Sequence, residues 1–539
     1  MRRESLLNEV QSLRDLIDAK RPENLTVSPD RLTDEEKEHF LSAYHPDGQK
    51  HAFKTLSIGV NQGDALPREL CELLEAPPRI TANEVDLTKP QYDVDVLVIG
   101  GGGAGATAAI EAARSGVKPL IVTKLRLGDS NTVMAEGGIQ AATKPNDSPM
   151  LHFIDAYGGG RYAAKKELLA KLVTEGPNAI AWLSSLGVLF DKTPDGDFIT
   201  THGGGTSRKR MHAAKDLTGL EIMRTLRDEV KNLAIPILDY TAAIELIPDE
   251  NGHCSGAVLM NMETKAYSVV RAKTVILATG GAGRMHYLGF PTSNHYGATA
   301  DGLVLGYRIG AKLIYADSLQ YHPTGTLYPS ILLGSLVTEK VRSLGGLLLN
   351  RKGEAFIHPL ETRDVVSAAI IRECTDRNNG IRTENGVGVW LDTPMIDMIH
   401  GNGTVEARIP ATLRMFLRHG IDIRKEPILV YPTLHYQNGG IEIDTNCESI
   451  SVSNLFAAGE VVGGIHGTNR LMGNSLLDMI VFGRSAGQNA AERSKALKPP
   501  QLTLEHIHNW KHKREELGIT ANTVSPKLLP DYTYQNIKE

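Results

Sequence analysis

The stretch Val96-Leu-Val-Ile-Gly-Gly-Gly-Gly-Ala-Gly105 decides the fold of this chain. An apolar run ends in the pattern G-x-G-x-x-G, formed by Gly100, Gly102 and Gly105, and a helix-forming segment follows over 106–115. A strand, a tight glycine turn and a helix in this order let the helix N-terminus hold a pyrophosphate. Glycine is needed because a Cβ would keep the backbone away from phosphate. The context favours a dinucleotide-binding α/β domain over a glycine-rich turn with only a structural role.

Composition and charge narrow the class of protein. With 539 residues, 53 glycines and 5% aromatic residues, the chain fits an α/β enzyme of two or three domains. The net charge of −5 argues against a nucleic-acid partner. We find no apolar run as long as a membrane span and no signal peptide after Arg2 and Arg3, so we expect a cytoplasmic protein.

The cysteines give no sign of a metal centre. Cys71, Cys254, Cys374 and Cys447 are scattered and form no C-x-x-C pair. The sequence therefore encodes no local iron–sulfur, zinc or haem site, and a disulfide framework is not expected. We predict no metal ligands in this chain.

Four regions follow one another along the chain. Residues 1–92 predict a helical arm and linker, with helical spacing over 5–19, a capping box at Thr33 and Glu36, and a third helix at Pro67. Residues 93–322 and 426–490 predict the nucleotide-binding domain, residues 323–425 an inserted capping domain, and residues 491–539 a short polar tail. Two alternatives are open for the arm: it packs against its own catalytic domain, or it docks a partner subunit.

Further motifs identify a family. In chain order they occupy residues 130–139, 278–283, 299–302, 320–325, 338–342, 363–367, 435–440, 458–460 and 466–476. Together they resemble the flavoprotein subunit of succinate dehydrogenase and fumarate reductase, whose relatives include L-aspartate oxidase and soluble fumarate reductases. The resemblance covers about residues 93–490 and leaves the arm outside.

The resemblance implies a fold, a cofactor and partners. The fold would be α/β, a Rossmann-like FAD-binding domain with an inserted α+β capping domain and an N-terminal helical arm. FAD would exchange a hydride with the C=C bond of a dicarboxylate or a larger enoate. The chain would be an oxidoreductase of electron transport in anaerobic respiration. Its partner would be an iron–sulfur electron-transfer subunit or a second copy of the chain, and any membrane association would run through partner subunits.

Reduction of a C=C bond flanked by carboxylates requires fixed cations, hydrogen-bond donors and a proton donor. Arginine suits the clamps because its planar fork matches a carboxylate. The resemblance implies that a dicarboxylate binds to His322, Thr338, His435 and Arg470 and that Arg363 donates the proton, with His322 also in the catalytic group. It assigns Glu339 and Arg342, three residues apart, to a proton relay toward Arg363, whereas the alternative for that pair is a buried structural ion pair.

The cofactor residues follow from the same motifs. Gly100, Gly102 and Gly105 should face the ADP pyrophosphate, and Thr123 and Lys124 end the second strand, where many dinucleotide sites have an acidic residue. The remaining residues that the resemblance implies for FAD are Ser130, Gly137, Gly138, Thr279, Gly280, Asp301, Glu460, Arg470, Ser475 and Leu476.

The sequence departs from the family pattern at two places near the site. Asn131 stands where membrane-bound members carry the histidine that is covalently joined to FAD, so FAD should be held non-covalently, which favours fumarate reduction or an oxidase-like reaction. Ser343-Leu344-Gly345 replaces the usual Gly-Glu-Gly after the relay arginine, which removes a carboxylate.

Two other functions compete with fumarate reduction. L-aspartate oxidase is the first, because the segment 212–219 resembles that enzyme as closely as the reductase. A non-catalytic assembly subunit is the second. It would have no use for the buried cations predicted at His322, Arg363 and Arg470.

Overall fold

The computed structural model describes residues 2–48, 50–521 and 523–530 and shows a mixed α/β fold. Its α-helices, in chain order, are α1 (Arg2–Asn24), α2 (Asp34–Tyr44), α3 (Arg68–Glu75), α4 (Gly103–Arg114), α5 (Pro149–Gly159), α6 (Lys166–Ser185), α7 (Thr218–Asn232), α8 (Asp301–Arg308), α9 (Lys340–Ser343), α10 (Arg363–Cys374), α11 (Met395–His400), α12 (Thr404–Arg408), α13 (Pro410–Leu417), α14 (Asn474–Lys495) and α15 (Glu505–Glu516).

The strands alternate with these helices. They are β1 (Phe53–Thr55), β2 (Ala65–Pro67), β3 (Tyr92–Ile99), β4 (Pro119–Val122), β5 (Ile139–Gln140), β6 (Thr200–Thr201), β7 (Met211–His212), β8 (Ile237–Leu238), β9 (Thr241–Pro248), β10 (Cys254–Asn261), β11 (Tyr267–Leu277), β12 (Leu313–Ile314), β13 (Leu319–Thr326), β14 (Leu347–Leu349), β15 (Ile381–Thr383), β16 (Gly386–Asp392), β17 (Ile428–Gln437), β18 (Gly440–Glu442), β19 (Leu455–Ala457) and β20 (Val462–Gly463).

A seven-stranded sheet forms the centre of the larger core. Its order is β8-β4-β3-β11-β10-β9, with β19 also paired to β11. The strands β8, β4, β3, β11 and β19 run parallel, whereas β10 and β9 form an antiparallel edge. The last four residues of β3 are buried, as expected for a parallel strand covered on both faces, and α4 packs against α14 beside it. The glycine turn thus joins a central strand to a buried helix.

A second, antiparallel sheet contains His322 and His435, two of the residues predicted for substrate binding. Its order is β13-β17-β16-β14, and β15 pairs with β16. The chain enters the segment 327–427 from β13 and leaves it through β17, and these two strands are hydrogen-bonded neighbours with His322 opposite Thr433 and Thr326 opposite Val430. Helix α10, which begins at Arg363, packs against β13.

The N-terminal arm packs against its own chain. Ile17, Phe40 and Leu70, one on each arm helix, are buried in hydrophobic clusters that include strands of the two larger sheets. The capping box at Thr33 and Glu36 is present, with both of its hydrogen bonds, at the start of α2. The three predicted helices are confirmed, although the first extends well beyond 5–19. The apolar stripes need no partner subunit to cover them, so the first of the two alternatives for the arm is the observed one.

The described part of the C-terminal tail, residues 491–521 and 523–530, contacts the arm. Trp510 Nε1 donates a hydrogen bond to the Ala76 carbonyl at 3.3 Å, and Arg514 Nε donates to the Glu75 carbonyl at 2.7 Å. The helix α15 therefore packs on the arm. Within the described residues, no helix combines the length and apolar character needed to span a membrane.

Candidate active site

A cleft lies along the carboxyl ends of the parallel strands of the large sheet. Its volume is about 1390 Å³, including the part open to solvent, and its walls include the end of β3, the glycine turn, the end of β4 and the residues that follow β11 and β19. Ligands of open α/β sheets bind at this edge. The size and place of the cleft suit a dinucleotide.

The glycine turn is shaped for close approach of a ligand to the backbone. Gly100 has φ +123°, and a Cβ there would lie 2.2 Å from the Ala278 carbonyl oxygen. Gly102 is the N-cap of α4 and provides no side-chain cap to the helix. Both residues line the cleft. Gly105 does not: a Cβ there would lie 1.9 Å from the Gly100 oxygen, so this glycine serves close packing of helix on strand instead of the pyrophosphate.

Most of the other expected cofactor residues lie in the wall of the cleft. Those that do are Thr123, Lys124, Ser130, Thr279, Gly280, Asp301, Glu460, Ser475 and Leu476. Gly137, Gly138 and Arg470, which the resemblance also implied for FAD, do not line it. Gly138, with φ +121°, packs beside the His212 carbonyl oxygen, and Gly137 packs beside Met472. At Gly138 a larger residue would collide with the backbone of β7, whereas at Gly137 it would meet the end of the Met472 side chain.

Lys124 and Asp301 form an ion pair at one end of the cleft. Lys124 Nζ lies 2.5 Å from Asp301 Oδ2 and 2.7 Å from Thr299 Oγ1. Asp301 is the first residue of α8, so α8 brings a carboxylate to the end of β4. This explains how a lysine can occupy the position at which many dinucleotide sites carry an acidic residue.

The C-terminal segment 524–530 closes the same end of the cleft. Leu528 lines the cleft, its N–H donates to Asp301 Oδ1 at 3.0 Å, and its carbonyl accepts from Thr299 Oγ1 at 3.3 Å. Ser525 Oγ accepts from Arg308 Nη2 at 2.5 Å, which anchors the segment to α8. No motif in the sequence points to this tail as part of the site.

Removal of residues 524–539 is expected to weaken FAD binding about tenfold, because Leu528 would no longer cover the cleft or hold Asp301. Titration of the apoprotein with FAD, followed by flavin fluorescence, measures the Kd. A chain lacking only residues 531–539 is the matched control and should keep the full affinity. Equal affinities for the two truncated chains would contradict a role for the segment 524–530.

Asn131 lies in the cleft wall, within a hydrogen-bond network. Its Nδ2 donates to Asn294 Oδ1 at 2.7 Å and to Glu460 Oε2 at 3.1 Å, and its Oδ1 accepts from the His295 N–H at 2.5 Å. Both ends of the amide are therefore engaged. An amide nitrogen has no lone pair available for bond formation, so the side chain fits a wall contact and not a covalent link.

FAD is accordingly expected to leave the protein on acid denaturation. After precipitation with acid, the yellow colour should appear in the supernatant, since no side chain at position 131 can hold it. Flavin fluorescence that stays with the protein band on a denaturing gel would contradict the prediction.

Four of the predicted site residues, His322, His435, Arg363 and Arg470, lie close together beside the cleft. His322 on β13 and His435 on β17 face each other with ring centroids 5.1 Å apart. Gln320 Oε1 accepts from Arg363 Nη1 at 3.1 Å and from Arg470 Nη2 at 2.8 Å, which fixes both guanidinium groups against one side chain. The motif around 320 contains this glutamine, but nothing in the motif itself indicates a role for it.

Glu339 joins the two arginines assigned to proton transfer. Its Oε2 lies 2.8 Å from Arg363 Nε and 3.2 Å from Arg342 Nη2, and its Oε1 accepts from the Gly204 N–H at 2.6 Å. Burial alone would raise the pKa of this carboxyl, but Arg363 and Arg342 lower it to about 2. Glu339 is thus charged at neutral pH and bridges the two guanidinium groups.

The histidines are neutral at ordinary pH, so the prediction of a buried cation at His322 is wrong. Burial, together with the nearby arginines, lowers the pKa of His322 and of His435 well below the usual value. His435 Nδ1 lies 2.8 Å from Ser293 Oγ, which leaves its other nitrogen toward the cleft, where His435 is a wall residue. The rings can therefore act as hydrogen-bond partners of a ligand without adding charge.

Several buried donors in this region lack a partner within the described part of the chain. They include His322 Nε2 and Arg470 Nε. Burial and the neighbouring Arg363 lower the pKa of Arg470 to about 10, so its guanidinium is still a cation at neutral pH. Buried donors without partners are costly, and a carboxylate would satisfy them. The site is built for an anion.

Thr338 and Leu344 flank the relay. Thr338 is buried just before α9, where its Oγ1 accepts from the Lys340 N–H at 3.4 Å. Leu344, in place of the family carboxylate, packs in an apolar cluster with Val341 and Val366. The substitution therefore replaces a polar contact by apolar packing and leaves Glu339 and Arg342 in contact.

Comparisons with known proteins agree with this geometry. A family model described as an FAD binding domain matches residues 95–476. One of the subunits of the fumarate reductase (CoM/CoB) of Methanothermobacter marburgensis is 41% identical over 457 residues, which cover 82% of this chain and 80% of that protein. The L-aspartate oxidase of Streptomyces coelicolor is 34% identical over 440 residues, or 78% of this chain and 73% of that protein.

Comparison with solved structures identifies relatives of the same kind. Quinol fumarate reductase of Escherichia coli contains a chain that superposes with a TM-score of 0.70 at 33% identity, over 79% of this chain and 74% of that one. The resemblance inferred from the motifs is confirmed, as is FAD as the cofactor. The chain belongs to the family of FAD-dependent oxidoreductases that contains the fumarate reductase flavoproteins.

Proposed function

We propose that the chain reduces fumarate, as the flavoprotein subunit of a larger complex. The observation that carries the proposal is the pair of guanidinium groups, Arg363 and Arg470, held by Gln320 beside two neutral histidines. Arg470 is a fixed cation for a carboxylate of a small dicarboxylate, and Arg363 is a second fixed cation beside the bond to be reduced. The relative at 41% identity, which is named as part of a fumarate reductase, supports the same substrate.

In this proposal each side chain has one task. Arg470, His322, His435 and Thr338 bind the carboxylates of the substrate. Arg363 binds beside the C=C bond and holds the proton that one alkene carbon receives. FAD, when bound in its reduced form, would supply a hydride, which is two electrons and one hydrogen nucleus, to the other alkene carbon. Because the site is buried, charge that develops on the substrate carboxylate is stabilised by fixed cations and not by water.

Arginine is a weak acid, so the Arg363 guanidinium must regain its proton quickly after each transfer. Its pKa in water exceeds 12. Glu339 contacts Arg363 on one side and Arg342 on the other, so a proton delivered through this pair can restore the Arg363 guanidinium without solvent in the site. Charge on the substrate also favours the transfer, since the proton moves from a cation to the carbanion that develops when the hydride adds to the dicarboxylate.

We also propose a domain division and a source of electrons. Residues 93–322 and 426–490 would form the Rossmann-like FAD-binding domain, and residues 323–425 the capping domain, with His322 and His435 on the adjacent strands that join them. Electrons would come from an iron–sulfur subunit, because relatives are named as subunits of fumarate reductases. The complex would work on the cytoplasmic side and meet the membrane only through such partners.

The experiment is a panel of substrates with one electron source. Purified holoprotein and a reduced viologen dye are mixed with fumarate, with substituted enoates or with L-aspartate and oxygen. Oxidation of the dye by fumarate at the highest kcat/KM supports the proposal. Turnover of L-aspartate with no reaction of fumarate would replace it by the oxidase.

A further inference from the structure

We propose that the N-terminal arm positions the proton relay, and that the buried carboxylate of Glu361 connects the two. The inference rests on the proposed function, in which Arg363, Glu339 and Arg342 move the proton. The arm precedes the residues 95–476 that the family model matches, so its contacts are an addition to the family core.

The arm holds the segment 358–362 through charge and backbone contacts. Glu361 is 1% exposed, and its Oε1 accepts from the Leu32 N–H at 3.1 Å. Its Oε2 lies 3.8 Å from Lys37 Nζ, and Arg31 Nη1 donates to the Leu360 carbonyl at 3.0 Å. A buried carboxylate with these partners keeps its place only while the arm is docked.

The same segment contacts the relay on its other side. Arg342 donates a hydrogen bond to the Pro359 carbonyl. The Glu361 carbonyl packs so closely on Gly204 that a Cβ there would lie 3.1 Å away, and the Gly204 N–H donates to Glu339 at 2.6 Å. Movement of the segment would therefore displace a partner of Arg342 and a donor to Glu339 together.

The arm also contacts the helix that begins with the proton donor. Arg363 starts α10 two residues after Glu361. Near the other end of α10, the Arg372 guanidinium lies over the Phe40 ring of α2, 4.0 Å from its centroid. Contacts of the arm thus lie before the first turn and within the last turn of α10, which restrains the helix along its axis.

These contacts make Glu361 a positioning residue. It does not touch substrate or cofactor in this proposal, but it sets the distances between the groups that do. Proton transfer is sensitive to such distances, and a displacement of about 1 Å can lower a rate about 100-fold. Loss of Glu361 should therefore slow proton delivery while substrate binding is kept.

The test compares Glu361→Ala with Glu361→Gln in the holoprotein, using fumarate and reduced viologen. We expect Glu361→Ala to lower kcat about 10- to 100-fold and to leave KM within about twofold of the wild type. The solvent deuterium isotope effect on kcat should rise, because proton delivery becomes slower. Glu361→Gln keeps an acceptor for the Leu32 N–H and should recover most of kcat.

Arg14→Met is the matched control. Arg14 pairs with Glu426, next to β17, so this variant loosens the same arm away from the relay. It should leave both kcat and the isotope effect unchanged. A Glu361→Ala protein with wild-type kcat and isotope effect would overturn the proposal. If that variant does not fold, Arg31→Met combined with Lys37→Met replaces it, with a fall of about tenfold in kcat expected and no change overturning the proposal.

A second readout separates this inference from the choice of substrate. Hydrogen exchange of the peptides that cover 338–346 should be faster in Glu361→Ala than in the wild type and in Arg14→Met. Wild-type protein that fails to reduce fumarate would refute the proposed function, whereas unchanged exchange at 338–346 would refute positioning by the arm.

Discussion

Replacement of Arg363 by lysine is expected to lower the turnover of fumarate by about 10²–10⁴-fold, the usual contribution of a positioned acid or base. Lysine carries the positive charge of arginine but lacks the planar, forked guanidinium group. It cannot keep the contact of Arg363 Nε with Glu339 at 2.8 Å together with that of Nη1 with Gln320 at 3.1 Å. Substrate affinity should fall less than kcat, because Arg470 still holds a carboxylate.

Steady-state kinetics and a binding titration with succinate separate the two effects. The matched control is Arg372→Lys, on the same helix but over the Phe40 ring, where lysine can also lie. Its turnover should equal that of the wild type. Near-normal turnover of Arg363→Lys would remove Arg363 from the role of proton donor.

Replacement of Glu339 by glutamine is expected to lower both kcat and the free energy of unfolding. Glutamine keeps the size of the side chain and an acceptor for the Gly204 N–H, but it leaves Arg363 and Arg342 without their counter-charge. Removing one partner of a buried ion pair costs about 3–5 kcal/mol. We expect a loss of about 3 kcal/mol in the free energy of unfolding at pH 7 and a fall in kcat of at least about 100-fold.

The loss of stability should depend on pH in a defined direction. The folded pKa of Glu339 is about 2, below its ordinary value of 4.5, so the charged form stabilises the folded state. That stabilisation is complete above about pH 5 and declines as the pH falls toward 2. Urea unfolding of the wild type and of Glu339→Gln, each with excess FAD, should give a difference that is largest at pH 7 and smaller at pH 3.5. A difference that grows on acidification would contradict the assignment.

The sequence predicts those parts of the fold that depend on local sequence signals. The glycine turn after β3, the capping box at Thr33 and the motifs around His322 and Arg363 each describe contacts within a few residues or a shared family pattern. Gly105 shows the limit, because its motif position suggested a phosphate contact, whereas its packing against Gly100 is what excludes a Cβ. The spacing of glycines in a motif does not show whether a Cβ would collide with a ligand or with the protein's own backbone.

The features of the site that the sequence does not predict depend on contacts between distant segments. Gln320 holds Arg363 and Arg470, which lie 43 and 150 positions further along the chain. Leu528 reaches Asp301 across 227 positions, and Leu32 reaches Glu361 across 329. No periodicity or motif reports such pairs, because they arise only when the two sheets and the termini are packed together.

The adjacency of β13 and β17 also has a consequence for how such enzymes diversify. Because the segment 327–427 departs and returns on hydrogen-bonded neighbours, its two ends are joined by the sheet itself. Insertion or loss of residues within it need not separate His322 from His435, in the same way that domains tolerate insertions where their ends lie close together. The length and sequence of the segment 327–427 can therefore change in evolution while the distance between His322 and His435 is kept.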